Sequence, residues 1–115
     1  MTPDRRAALV ALKDAVEAGN ATRTTIEEMA AGVFGLNTNA MDVGAAYAQG
    51  STDAALALLG AVLPRAWCVL RISTLSRAII GCVDADAEVV AQASTPARAL
   101  LLAILTAMIE QEAQP

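Results

Sequence analysis

The sequence predicts an α+β fold: a small antiparallel three-stranded sheet flanked by helices, an alpha-beta-alpha sandwich in the order αααβββα. Three observations predict it. Apolar residues recur at helical spacing as far as Leu63. Between Ala66 and Ala93 the period shortens to two, the spacing of strands. After Thr95-Pro96 the helical period returns and runs to about Gln111. A chain of 115 residues without a linker, repeat or low-complexity stretch is expected to form one domain, residues 1–115.

The first helix is expected over Asp4 to Ala18. Leu9, Leu12 and Val16 share one side, Asp4 suits the positive N-terminus, and Gly19-Asn20 is a stop. The second is expected over Thr25 to Phe34, where Thr24 to Glu28 holds two overlapping capping boxes. Ile26, Met29 or Ala30, and Val33 form its apolar side, and Gly35 ends it. Leu36 to Gly50 carries Asn37, Asn39, Gly44 and Gly50 and is expected to be a loop. The third helix is expected over Thr52 to Leu63, capped by Ser51 and stopped by Pro64, with Leu56, Leu59 and Leu63 on one face.

Strands are expected over Ala66 to Ser73, Arg77 to Val83 and Glu88 to Ala93. A loop centred on Leu75 would pair Ser73 with Arg77 and set Cys68 opposite Cys82. One face of this hairpin is then wholly apolar: Cys68, Leu70, Ile72, Ala78, Ile80 and Cys82. The other, with Trp67, Val69, Arg71, Ile79 and Val83, is half apolar, and Arg71 and Arg77 meet at the hairpin end. A sheet apolar on both faces needs cover on both. Helices on each side would supply it, or a helix layer plus a dimer interface. In the last helix, Leu100, Ile104 and Met108 lie beside Leu101, Leu105 and Ile109, so it is expected to be buried against more than one element.

Composition excludes several function classes. The chain has no histidine, which removes Ser-His-Asp and Cys-His catalysis, His-ligated zinc and His-based pH switching. Net charge is −4 and aromatics are 3%, so neither a basic stripe nor a base-stacking platform exists, and no direct nucleic-acid binding is expected. Of the residues, 27 are alanine, which implies closely spaced backbones and an aliphatic core. The apolar run Ala99 to Ile109 would span about 16 Å as helix, against about 30 Å for a bilayer. The N-terminal apolar stretch is broken by Lys13 and Asp14, unlike a signal peptide, so a cytoplasmic protein is expected. Two cysteines are too few for a disulfide scaffold or a four-thiolate metal site, and both are expected to be small buried hydrophobes.

Few residues carry candidate chemistry. Asp84, Asp86 and Glu88 fall at i, i+2 and i+4, on one side of an extended chain, and are candidates for protein contact; the bland alternative is a solvated turn. A calcium loop fails because Val89 stands where glycine is needed. Glu27 and Glu28 are expected to serve in capping, and Lys13 to pair with Glu17. The glycines form no phosphate-cradling loop or dinucleotide fingerprint. Trp67 either plugs a gap below the third helix or anchors a partner or a dimer, a role in which Trp is over-represented. No catalytic residue, cofactor or metal is expected.

Tyr47, the run Ser51-Thr52-Asp53-Ala54-Ala55-Leu56-Ala57-Leu58-Leu59, then Leu63-Pro64 and Trp67 resemble the phage ABA sandwich domain family. Leu12-Lys13 to Glu17-Ala18, Ile26 to Gly35 and Thr95-Pro96-Ala97-Arg98-Ala99-Leu100 look like its flanking helices. The resemblance implies a phage or prophage origin and helices around a small antiparallel sheet. It brings no catalytic residues. The expected function is that of a non-enzymatic phage accessory protein that binds a protein target, most concretely an inhibitor of a host defence complex of the anti-CRISPR kind. The alternative is a virion structural or assembly component; an enzyme is the least favoured reading.

Overall fold

The computed structural model describes residues 3–35, 37–82 and 88–112. Four helices precede the sheet: α1 (Pro3–Ala18), α2 (Arg23–Phe34), α3 (Thr38–Ala48) and α4 (Thr52–Val62). Strands β1 (Ala66–Arg71), β2 (Ser76–Cys82) and β3 (Glu88–Ala93) form an antiparallel sheet in sequence order, and α5 (Pro96–Glu112) closes the chain. The α+β class, the small antiparallel sheet and the helices-strands-helix order are those the sequence predicts.

Helix α3 occupies the segment expected to be a loop. Asn37, read as a turn former, is its N-cap: Oδ1 accepts from the Asn39 and Ala40 amides at 2.9 and 3.4 Å. Its Nδ2 donates to the Phe34 carbonyl, which ties the end of α2 to the start of α3. The buried side of α3 is Ala40, Val43, Gly44, Ala46 and Tyr47. Gly44 is required by close approach, because a Cβ there would overlap the Glu27 side chain. So small an apolar face, seeded with turn-forming residues, hides its helical period.

Other boundaries move by a few residues. Helix α2 is capped by Thr22, whose hydroxyl accepts from the Thr25 amide, and not by Thr24 or Thr25. Glu27, released from capping, instead pairs with Arg23 at 2.9 Å one turn earlier. Ser51 caps α4 as expected, accepting from the Ala54 amide. The buried side of α4 is Ala55, Leu58 and Leu59, while Leu56 faces solvent. Thr95 caps α5 through the Arg98 amide.

Helix α5 is the middle of the molecule. Every residue from Ala99 to Leu105 is buried, because its wide apolar surface meets the sheet on one side and helices α1, α3 and α4 on the other. Leu9, Leu12 and Val16 of α1 and Leu58 of α4 complete the core with no exposure. The layers therefore run sheet, α5, remaining helices, so among the described residues the helices lie to one side of the sheet and the expected alpha-beta-alpha layering, with a helix layer on each face, is replaced by cover on one face.

Candidate functional site

The strand pairing defines the surface that faces away from α5. The registers are Trp67↔Gly81↔Glu88, Val69↔Ile79↔Val90 and Arg71↔Arg77↔Gln92. Alternation along a strand puts these nine residues on one face. The opposite face carries Ala66, Cys68, Leu70, Ala78, Ile80, Val89, Ala91 and Ala93, which pack on the core. The sequence register is off by two: Cys68 pairs with Ile80, not Cys82, and Arg71, not Ser73, pairs with Arg77. A slip of two preserves the faces, so the core face is as read, except that Ile72 falls in the hairpin loop. The cross-strand cysteine pair does not form by register.

The outward face is open. Trp67 is 41% exposed, Val69 47% and Val90 53%, while Ile79, on the central strand, is half-buried. Ile72, 75% exposed, and Leu75 lie in the hairpin loop. Trp67 plugs no gap beneath a helix. Its indole lies across Gly81 of the neighbouring strand, where a Cβ would overlap the six-membered ring. Gly81 is thus a seat for the aromatic ring, and that seat holds the indole flat on the sheet.

Charge lies at the two ends of this face. Arg71 and Arg77 sit directly opposite each other with no ion pair among the described residues. Like charges so placed on a sheet repel. At the other end stands Glu88, exposed, beside Gly81 and two positions from Val90. Asp84 and Asp86, the other protein-contact candidates, lie outside the described residues.

A second cluster fastens the helical side. The Arg98 guanidinium stacks 4.6 Å from the Tyr47 ring centre and donates to the Tyr47 carbonyl at 2.9 Å. The Tyr47 hydroxyl donates to the Ala21 carbonyl at 2.6 Å. Gly19, whose φ of +72° ends α1, lies nearby: a Cβ there would come within 3.2 Å of the Arg98 guanidinium. Three chain segments meet here, so this cluster is a clasp. Nothing in the spacing of Tyr47 and Arg98 announces it. The groove between α2 and α3, about 380 Å³, is lined by Thr24, Glu27, Glu28, Asn37, Ala40 and Met41. Asn37 is engaged in capping and Glu27 in its bond to Arg23.

Cys68 is a free thiol on the core face of β1, and burial pushes its pKa above the ordinary thiol value. Among the described residues no group of three acidic or cysteine side chains converges as a metal site, and no helix is long and apolar enough to cross a membrane. Comparison with protein-family models, curated proteins and solved structures finds no match to this chain.

Proposed function

We propose that this chain is a non-enzymatic phage or prophage accessory protein that works by binding a protein target. In its most concrete form it inhibits a host defence complex of the anti-CRISPR kind from within the host cytoplasm. The phage assignment rests on the sequence resemblance over Tyr47 to Trp67 and Thr95 to Leu100. The observation that carries protein binding is the open sheet face, on which Trp67, Val69 and Val90 are exposed around the half-buried Ile79. Contiguous apolar surface with an aromatic anchor and charged ends is the anatomy of an interface. The acidic run Asp84, Asp86 and Glu88 borders that face in sequence and supplies charge for a basic groove on the target. A net charge of −4 limits any imitation of nucleic acid to that local strip.

The test is capture with a tagged chain in a bacterium carrying defence systems. Recovery of a nucleic-acid-guided or nuclease complex, with dose-dependent loss of its DNA binding, supports the reading. Asp84→Arg and Trp67→Ala should each weaken capture. Recovery of tail or capsid proteins alone replaces it with the virion-associated alternative.

A further inference from the structure

We propose that the open sheet face is the interface of a homodimer, closed by a second copy of this chain, with the strands of the two copies lying face to face and running in opposite senses. This goes beyond target binding and rests on the pattern of the face alone. The face is a grid of three rows: Trp67, Gly81 and Glu88; then Val69, Ile79 and Val90; then Arg71, Arg77 and Gln92. The middle row is apolar, one outer row carries the anion and the indole, and the other carries two cations.

A two-fold axis lying over the middle row turns the face onto itself. Val69, Ile79 and Val90 then meet their own counterparts. Arg71 of one copy lies over the Trp67 position of the other, and Arg77 lies over Gly81, where that indole is seated, beside Glu88. A guanidinium over an indole face and beside a carboxylate is favourable on both counts. The same contact relieves the Arg71 and Arg77 repulsion, which has no counter-charge among the described residues. An axis along the strands would instead stack arginine on arginine, so the charges select one of the two arrangements. Face-to-face sheets pack in this way at a small angle.

Size sets the strength. Three strands about 4.8 Å apart and six residues of about 3.4 Å give a footprint of roughly 300 Å², well short of the roughly 800 Å² per partner of a standard interface. The dimer is therefore weak, with dissociation in the micromolar range or above, and a target that binds the same face displaces the second copy.

The test is sedimentation of the whole chain from micromolar to about 1 mM concentration, a span that covers weak association. The account expects the mass to rise from 11.8 kDa to twice that value as concentration rises. Val90→Lys, on an edge strand, sets lysine against lysine across the axis and should raise the dissociation constant about tenfold or more. Arg77→Glu alone should weaken the dimer, and Arg77→Glu with Glu88→Arg should restore it. Circular dichroism confirms that each variant is folded. A wild-type chain that stays monomeric at about 1 mM overturns the proposal. So does a dimer that ignores Val90→Lys, since its interface then lies elsewhere. These masses are read without any host protein, so a failure to capture a defence complex leaves them untouched.

Discussion

The two sides of the sheet are built from similar residues and put to different uses. On the inner side Ala78 and Ile80 of β2 are buried against α5, and on the outer side Val69 and Val90, from the two flanking strands, are about half exposed. The inner side is closed by a helix buried continuously from Ala99 to Leu105. The outer side ends in charge, with Arg71 and Arg77 at one end and Glu88 at the other. Stability thus resides where α5 meets the strands and the other helices. The open face contributes little to the fold and is free to serve recognition.

Substitutions on the two sides should therefore differ most. Leu101→Ala removes a side chain with no exposure and should cost about 2–5 kcal/mol in urea unfolding. Val69→Ala, across the sheet, should stay within about 0.5 kcal/mol. Equal losses would erase the distinction between the sides. Next in size is Gly81→Ala, which unseats the Trp67 ring and should cost about 1–3 kcal/mol. Trp67 is the sole tryptophan, so its fluorescence should shift to the red as the ring swings into water.

The clasp on the helical side should be worth less than the core. Arg98→Met keeps the stem but loses the bond to the Tyr47 carbonyl and the stacking, and should cost about 1–2 kcal/mol. Tyr47→Phe, which loses only the hydroxyl bond to Ala21, should cost about 1 kcal/mol. Thermal unfolding of both variants checks the order. The smallest effect is chemical. In a Cys82→Ser background Cys68 should alkylate more slowly than a small free thiol at the same pH, because burial raises its pKa. The sign for stability follows: the folded state holds this proton more tightly than the unfolded chain. The contribution is complete below the unfolded thiol value and fades as pH rises through the folded one.

How much of this the sequence disclosed depends on the kind of signal. The period-two alternation placed Trp67 to Arg71 and Ala78 to Ile80 on their proper faces, even with the pairing off by two. Alternation fixes faces, whereas turn length fixes register, and a loop of Ile72 to Leu75 with two apolar residues carries no strong turn chemistry. Helix α3 was hidden because alanines and Gly44 form its buried side and Asn37 reads equally well as turn or cap. Trp67 was legible as a candidate anchor. Its seat on Gly81 was not, since the two meet only through strand pairing. That Arg71 and Arg77 lie near each other followed from the hairpin; that they stand directly opposite did not, since the expected register set Ser73 against Arg77. The Arg98 and Tyr47 clasp, spanning 51 positions, left no trace in local pattern.

The central claim is that the outer sheet face binds while the helical side holds the fold. It is tested most directly with Val90→Lys in the tagged chain, measuring urea unfolding and target capture on the same preparation. The account predicts stability within about 0.5 kcal/mol of the parent and loss of capture. Capture at the parent level by a folded Val90→Lys chain would contradict it and move the binding surface off the sheet.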